Sequence, residues 1–517
     1  MKKKFGFFLL VLQLVTVTLF AQLQSPEQFL GYKVGTRFTP HWRIVDYFKH
    51  VAANAGTMVK LQPYGQTNEG RPLMVAFISS AANLSNLEQI RTNNLALAQM
   101  QRNNQSASTT GPVVVWLSYN VHGNETSSSE ASMLTLYSLV DPANARTKPW
   151  LQNTVVIIDP CLNPDGRDRY VSWFNSVAGK YMNPQPDARE HREPWPGGRP
   201  NHYYFDLNRD WAWQTQKESV ERLKLYNEWL PQVHVDFHEQ GINNPYYFAP
   251  AAEPFHELIT PFQRSFQNTI GRNHARYFDE KGWLYFTKER FDLLYPAYGD
   301  TYPIYNGSIG MTYEQGGGPA GGLSILTANG DTLTLVDRVL HHYTTGLSTV
   351  EVASQNASKL LTEYQTFFRN ANTTGVGPYK AYVIKYVPQD KERIDALLNL
   401  LDKNKIEYGV AKGGSLRGYS YDSGKEEGFN ATEKDIVIPG VQPKATLLSV
   451  LFEANTKLVD SATYDITAWS LPYVYGLKTF ASKTAVPYNE KPNPTGSVGM
   501  NTTADAYGYV MRWSGVQ

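Results

Sequence analysis

Apolar runs alternate with stretches of helical periodicity over the first two thirds of the chain. Runs rich in β-branched and aromatic residues predict strands over Leu73–Ile78, Val113–Tyr119, Val155–Asp159, Gln232–Phe237 and Met311–Glu314. Apolar positions three and four residues apart predict helices over Thr126–Val140, Lys217–Trp229, Pro254–Tyr277 and Leu333–Phe368. Such alternation is typical of an α/β domain. We therefore predict one α/β domain over residues 22–371.

The pattern restarts after the polar stretch Asn372–Gly375 and predicts a smaller α/β module over residues 372–517. Its predicted elements are strands over Lys380–Val387, Glu407–Ala411 and Ile436–Pro439 and helices over Asp390–Lys403 and Ala445–Glu453. A last strand is predicted over Ala506–Trp513, with almost nothing after it, so truncation of a longer protein is an open alternative. The module shows no catalytic group of residues in its sequence.

The N-terminus has the pattern of a signal peptide. Lys2, Lys3 and Lys4 precede an apolar run that ends near Ala21. We predict cleavage after Ala21, a secreted or periplasmic protein, and no transmembrane segment once residues 1–21 are removed. The chain carries 48 basic and 47 acidic side chains, so nothing indicates a nucleic-acid partner. A single cysteine, Cys161, excludes an internal disulfide, and we predict it as a buried, inert thiol.

His122 and Glu125 come directly after the predicted strand Val113–Tyr119, with Gly123 and Asn124 between them. An imidazole and a carboxylate at this spacing reach one ion only if the backbone turns tightly, and glycine and asparagine favour such turns. Nitrogen and carboxylate oxygen suit zinc, which takes three protein ligands in catalytic sites. A pair of surface polar residues is the alternative, so a metal site depends on a third ligand elsewhere.

His238 is the predicted third ligand. It follows the strand Gln232–Phe237, and ligands gather at the carboxyl ends of strands in open α/β sheets. His234, Asp236 and His238 alternate along this strand and therefore share one face. His238 is nearest to the strand end, whereas we predict His234 as a core histidine.

Two further groups could complete a hydrolytic site. Asn208 and Arg209 follow Asp206 in a segment flanked by aromatic residues. The planar guanidinium group is suited to binding a carboxylate, although a surface cluster of ion pairs is the alternative. Glu314 ends a predicted strand, where it could act as general base and acid beside a metal or be a solvated strand-end acid.

The order of these motifs resembles that of the zinc carboxypeptidase family, the carboxypeptidase A-like metallopeptidases. The motifs in question are His122-x-x-Glu125, Asn163-Pro164-Asp165-Gly166, Asn208-Arg209, His238 and Glu314. The resemblance covers roughly residues 40 to 350. It implies an α/β fold with a mixed central sheet flanked by helices, of the phosphorylase/hydrolase-like kind.

The resemblance also implies roles for individual residues. One zinc ion would be held by His122, Glu125 and His238, and Asp206 would orient the first histidine. Glu314 matches the catalytic glutamate of the family. The pair Asn208 and Arg209 matches the residues that bind the free C-terminal carboxylate of a peptide substrate.

Some positions stay open at this stage. The family's oxyanion arginine has several candidates, of which Arg192 is slightly favoured: Arg167, Arg169, Arg189 and Arg192. The family's mobile tyrosine has equivalent candidates in Tyr295, Tyr298, Tyr302 and Tyr305. The segment Met182–Arg199, dense in proline, glycine and arginine, is either an ordered functional loop or a solvated connector. Asp300 could favour a basic substrate side chain or could cap a turn.

The functional prediction is a secreted zinc metallocarboxypeptidase that hydrolyses C-terminal peptide bonds. A zinc amidase or peptidase acting on cell-wall peptides is one alternative, because this architecture hosts related chemistry. An inactive binding protein on the same fold is another. The presence of all three ligands and of Glu314 argues against inactivity, whereas Asn208 and Arg209 do not distinguish peptides from muropeptides.

Overall fold

The computed structural model describes residues 22–100, 107–459, 463–464 and 468–490. The predicted signal peptide and the predicted strand Ala506–Trp513 lie outside these residues. Among the described residues, no helix is both long and apolar enough to cross a membrane.

The main sheet is mixed, as the family resemblance implied. Its strands are β1 (Val59–Gln66), β2 (Pro72–Ile78), β3 (Val113–Tyr119), β4 (Thr154–Asp159), β5 (Val233–Gln240), β6 (Tyr246–Tyr247), β7 (Tyr285–Phe286) and β8 (Ile309–Gly316). They lie in the order β1-β2-β4-β3-β5-β8-β6-β7. Strands β4, β3, β5 and β8 run parallel, while β1 and β2 add to one side in antiparallel pairing. A short two-stranded ribbon, β9 (Ser324–Leu326) with β10 (Thr332–Thr334), follows.

Helices cover this sheet. The α-helices of this part of the chain are α1 (Pro26–Leu30), α2 (His41–Asn54), α3 (Ala81–Ser85), α4 (Leu87–Leu97), α5 (Ser127–Val140), α6 (Pro164–Val177), α7 (Lys217–Trp229), α8 (Pro261–Lys281), α9 (Thr301–Tyr305), α10 (Leu335–Gln355) and α11 (Ala357–Thr373). Every residue of β3 and of β5 is buried. Parallel strands covered on both faces read as continuous apolar runs, which explains why β3 was predictable from its sequence.

The C-terminal module forms a second, antiparallel sheet. Its elements are β11 (Ala381–Ile384), α12 (Lys391–Lys403), β12 (Gly409–Ala411), β13 (Gly414–Ser420), β14 (Lys425–Ala431), β15 (Ile436–Pro439), α13 (Ala445–Phe452), α14 (Leu471–Val474), β16 (Thr479–Ser482) and β17 (Tyr488–Glu490). The strand order is β14-β13-β16-β11-β15-β12-β17. The hairpin of β13 and β14 was not predicted, because only four of its fourteen residues are buried and they give no run of apolar side chains.

One hydrophobic core runs through both modules. It joins Trp116 and Phe237 of the main sheet to Ile384 and Leu448 of the second part. Lys444 is buried at this junction, where its Nζ donates hydrogen bonds to Asn227 Oδ1 at 2.9 Å and Asn306 Oδ1 at 2.6 Å. Burial lowers the pKa of Lys444 to about 7. The division at residue 371 stays a prediction.

Two predicted helices differ from those observed. The stretch Leu333–Phe368 contains two helices, because Asn356 interrupts it with φ −119° and donates its side-chain amide to the Val352 carbonyl. The helix predicted from Pro254 begins at Pro261 instead. Thr260 caps this helix by accepting a hydrogen bond from the Gln263 backbone, and Pro261 occupies its first turn.

Candidate active site

Three neighbouring parallel strands bring the predicted site residues to one edge of the sheet. His122 follows β3, and β3 pairs with β5, which carries His238. Strand β5 pairs in turn with β8, in a register that sets His238 opposite Glu314. Because parallel strands end at the same edge, residues far apart in sequence meet there.

His122, Glu125 and His238 form a cluster that could hold a metal ion. One ligand atom from each lies within 4.8 Å of the others, and all three residues are buried. His122 Nδ1 is 2.8 Å from Glu125 Oε1, and His238 Nδ1 is 3.2 Å from both Glu125 Oε2 and His122 Nδ1. Two nitrogens and a carboxylate facing one point match the donor set of a catalytic zinc site.

The remaining ring nitrogens face carboxylates. His122 Nε2 lies 2.9 Å from Asp206 Oδ1, and His238 Nε2 lies 2.9 Å from Asp236 Oδ2. A carboxylate that accepts the N–H at Nε2 leaves the lone pair at Nδ1 directed toward the cluster. Both histidines are thus oriented as metal ligands, which is the arrangement that a zinc ion requires. The position of Asp236 on the same strand face was visible in the sequence, but this contact was not.

The loop between the two first ligands is held by Asn120. This residue adopts a left-handed backbone, with φ 61°, and its side-chain amide donates to the carbonyl oxygens of His122, Gly123 and Glu125. Gly123 has no positive φ; it is required because a side chain would overlap the backbone of Gly166 and Arg167. The need for glycine here is therefore close packing, and the tight turn comes from Asn120.

Burial and neighbouring charges shift the pKa values of Glu125 and Glu314 in opposite directions. Burial opposes ionisation of Glu125, but His122 and His238 outweigh it, so the pKa of Glu125 lies well below its usual range. Burial raises the pKa of Glu314 to about 8, and the neighbouring Glu125 adds to this rise. Two carboxyl groups in one site with pKa values pushed apart is a pattern found where one holds charge and the other moves protons.

Asn208 and Arg209 line the same pocket as the cluster. The Asn208 side chain accepts a hydrogen bond from the Gly299 backbone at 2.8 Å, and its amide nitrogen is 3.3 Å from His238 Nε2. The guanidinium of Arg209 lies over the ring of Tyr298, 4.6 Å from its centroid. Both side chains are held by neighbours and point toward a space where a carboxylate could be bound.

None of the predicted oxyanion arginines lines the pocket. Arg167 is fully buried and paired with Glu130 at 2.7 Å, Arg192 is exposed and paired with Asp187, and Arg189 donates to the Arg192 carbonyl. Arg169 donates to the carbonyls of Gly197 and Asn201. The slight preference for Arg192 was wrong, because its side chain points to solvent.

Arg199 is the arginine beside the cluster. Its Nη1 donates to Glu125 Oε1 at 3.2 Å and its Nη2 to Asp206 Oδ2 at 3.0 Å. It is the last residue of the segment Met182–Arg199, which is therefore an ordered loop that reaches the pocket. The glycine pair Gly197-Gly198 before it was the available sequence signal, since glycine marks close approach of backbone.

Tyr298 is the only one of the four candidate tyrosines that lines the pocket. The hydroxyl of Tyr295 accepts from Trp213, that of Tyr302 donates to Asn404, and that of Tyr305 donates to the Leu294 carbonyl. The hydroxyl groups of these three residues are hydrogen-bonded to the surrounding core.

Asp300 also borders the pocket, but both its oxygens are engaged. They accept hydrogen bonds from the Thr301 backbone at 2.7 Å and the Thr312 hydroxyl at 2.9 Å. The first of these bonds caps α9, as one of the two interpretations expected. Burial raises the pKa of Asp300 to about 6, which weakens any attraction for a basic side chain.

The second module contributes to the pocket through Tyr464. Its backbone N–H donates to Asp292 Oδ2 at 2.7 Å, and its ring lies 5.4 Å from that of Phe291. Sequence patterns could not reveal this contribution, since the residue stands outside any predicted element.

His234 and Cys161 are core residues, as predicted. His234 is fully buried against Trp211, and its Nε2 is 2.9 Å from the Ser118 hydroxyl. Cys161 is also buried, and burial raises the pKa of its thiol to about 12.

Residues 44–229 match the family model described as zinc carboxypeptidase. This match confirms the resemblance to the zinc carboxypeptidase family that the motifs indicated. The match supports a zinc metallopeptidase of the carboxypeptidase class, with zinc as its metal. A search of curated protein sequences gives no significant match.

Solved structures of zinc carboxypeptidase type are similar to this chain. A metallo-carboxypeptidase from Burkholderia cenocepacia aligns at 12% identity and TM-score 0.43, over 62% of this chain and 70% of its own. Carboxypeptidase A from Helicoverpa armigera aligns at 15% identity and TM-score 0.42, over 64% of this chain and 79% of its own.

Proposed function

We propose that the protein is a secreted, zinc-dependent metallocarboxypeptidase that removes residues from the C-terminal end of peptides. One zinc ion is held by His122, Glu125 and His238. The observation that carries this proposal is that the three-residue cluster opens into the pocket lined by Glu314, Asn208 and Arg209. A metal site, a proton-transfer group and a carboxylate-binding pair thus share one space.

Zinc bound at this cluster supplies Lewis acidity, which lowers the pKa of a water and polarises a carbonyl group. Glu314 accepts the proton of the attacking water and delivers it to the amide nitrogen as the carbon–nitrogen bond breaks. Burial favours the protonated carboxyl of Glu314, which suits a group that holds the proton between the two steps.

The other residues position the substrate. Arg209 and Asn208 bind the terminal carboxylate, with the guanidinium fixed over the Tyr298 ring. Arg199, next to Glu125, stabilises the oxyanion that develops on the scissile carbonyl. Asp206 keeps His122 oriented by accepting its Nε2 hydrogen, and Asp236 pairs with His238, with Oδ2 2.9 Å from Nε2.

Hydrolysis of blocked dipeptides with a free C-terminal carboxylate tests this function. We expect the purified protein to release the C-terminal amino acid, to lose this activity with a chelator, and to regain it with about one equivalent of zinc. The same dipeptides with an amidated C-terminus serve as the control and should be poor substrates, because Arg209 then lacks its partner. Activity on muropeptides alone would favour the alternative function, a zinc amidase or peptidase acting on cell-wall peptides. A purified protein without zinc or without activity would contradict the proposal.

Replacing Arg199 by alanine should lower kcat about 100-fold, the usual effect of losing one oxyanion donor. The matched control is Arg192→Ala, in the same loop but paired with Asp187 at the surface, which should change kcat by less than about twofold. Zinc content is measured for both variants, because Arg199 also contacts Asp206. Unaltered kcat in Arg199→Ala with full zinc would remove this residue from the mechanism.

A further inference from the structure

Four aromatic side chains on either side of Arg199 in the sequence are exposed to solvent. Trp195 is 85% exposed, Tyr203 61%, Tyr204 54% and Phe205 51%. We call these four residues the aromatic platform. Single exposed apolar residues are common on protein surfaces, but a group of large ones within one segment usually marks a binding surface.

The platform is held in place by a buried asparagine. Asn201 is fully buried, and its side-chain oxygen accepts hydrogen bonds from the backbone of Tyr203 and of Phe205, each at 3.0 Å. Its amide nitrogen donates to Gln216 and Glu218 on the domain behind it. The turn is therefore anchored on the protein body, while its aromatic side chains point outward.

The backbone of Tyr204 is strained in this turn. Its φ is 64°, a left-handed conformation that side chains other than glycine, asparagine and aspartate rarely adopt. The ring lies 5.8 Å from that of Trp195, and the Arg169 guanidinium lies over it at 5.3 Å. A strained residue that is nonetheless half exposed contributes little to the core, which indicates a role in recognition.

The segment that carries the platform is joined along the chain to two residues that contact the metal cluster. Arg199, beside the metal cluster, precedes Asn201 by two residues, and Asp206, which bonds His122, follows Phe205 directly. The pocket itself encloses about 140 Å³, less than the roughly 300 Å³ at which pockets for larger ligands begin. It thus holds little more than the terminal residue, so residues upstream of the scissile bond must contact the surface around its rim.

We propose that the aromatic platform binds the residues of a polypeptide substrate upstream of the scissile bond, with preference for large apolar or aromatic side chains. This inference rests on the proposed carboxypeptidase activity. Tyrosine and tryptophan give a large, rigid contact area and keep their polar ends in water, which explains why such residues dominate binding surfaces. The substrates are accordingly extended C-terminal tails and not free dipeptides.

A series of peptides that share their last two residues tests the platform. N-blocked peptides of two, four and six residues are compared, with phenylalanine and leucine or with glycine and serine at the upstream positions. We expect kcat/KM to rise about tenfold from two to six residues for the apolar series, chiefly through KM, since each aromatic contact of this kind contributes about that factor. The polar series should show little gain.

The test variant combines Trp195→Ala with Tyr204→Gly, because glycine adopts the left-handed conformation without strain and preserves the turn. This variant should lose the length-dependent gain and keep its dipeptide kcat/KM within about twofold. Trp42→Ala, an exposed tryptophan on α2 outside the pocket, is the matched control and should keep the gain. A gain that persists without the two rings, or an equal loss on dipeptides, would overturn the proposal.

Binding to the Glu314→Gln enzyme separates this proposal from the proposed function. Calorimetry should show the apolar hexapeptide binding about tenfold more tightly than the dipeptide, and this difference should vanish when the two rings are removed. Such a result with no hydrolysis by the wild type would support the platform and contradict the carboxypeptidase. If the wild type hydrolyses dipeptides and longer peptides equally well, the carboxypeptidase is supported and the platform is contradicted. A gain seen only with glycan-linked muropeptides would overturn the preference for polypeptides.

Discussion

Glu314→Gln is expected to lower kcat about 1,000-fold while the enzyme keeps its full complement of zinc. Glutamine has the same shape but cannot accept a proton, and general acid–base catalysis contributes about 100- to 10,000-fold. Glu314 lies opposite His238 in the sheet register and is not one of the three clustered ligands, so the metal site should remain intact. Steady-state kinetics on a blocked dipeptide, with zinc determined on the same sample, measures both quantities.

The matched control for this variant is Glu228→Gln, an exposed glutamate on α7 that should leave kcat unchanged. Full turnover in Glu314→Gln would show that another group moves the proton. Loss of zinc together with turnover would instead make Glu314 a part of the metal site.

Gly123→Ala is expected to destabilise the protein by about 3 kcal/mol and to weaken zinc binding, since overpacking in a rigid site costs about 1 to 3 kcal/mol or more. The added methyl group would overlap Gly166 and Arg167 and lie 2.5 Å from the Gly198 carbonyl oxygen. All of these are backbone atoms, so the loop that carries His122 and Glu125 must move away. Thermal unfolding with and without zinc measures the loss.

Gly179→Ala is the appropriate control for the added methyl group. The nearest atom to its Cβ would be the Tyr181 carbonyl oxygen at 3.7 Å, an ordinary contact, so Tm should stay within about 1 °C. Wild-type stability and zinc affinity in Gly123→Ala would mean that the close packing described here is not required.

The sequence predicted those parts of the site that sit on regular elements. His122, His238 and Glu314 follow or end buried parallel strands, whose apolar runs are visible in the chain, and such strands end at a common edge. The role of Glu125 could be predicted from its spacing from His122. The family resemblance then assigned Asp206, Asn208 and Arg209, which the structure places in or beside the same pocket.

Residues on irregular segments could not be predicted in the same way. The position of Arg199 depends on the path of the loop from Met182, which no periodicity describes, so Arg192 was favoured and Arg199 was not among the candidates. Asp236 lay on the predicted face, but its partner depends on a ring orientation. Tyr464 reaches the pocket from the second module through tertiary packing, a contact between segments that local patterns do not encode.

The buried Lys444 and the shared core have a consequence for how such a protein could change during evolution. A replacement for the second module would have to provide a hydrogen-bond donor for Asn227 and Asn306, apolar surface for the core of the main sheet, and an aromatic ring against Phe291. Few unrelated sequences would meet these conditions together. We therefore expect that exchanging the second module alone would expose part of the shared core, so the two sheets behave as one unit despite the polar segment between them.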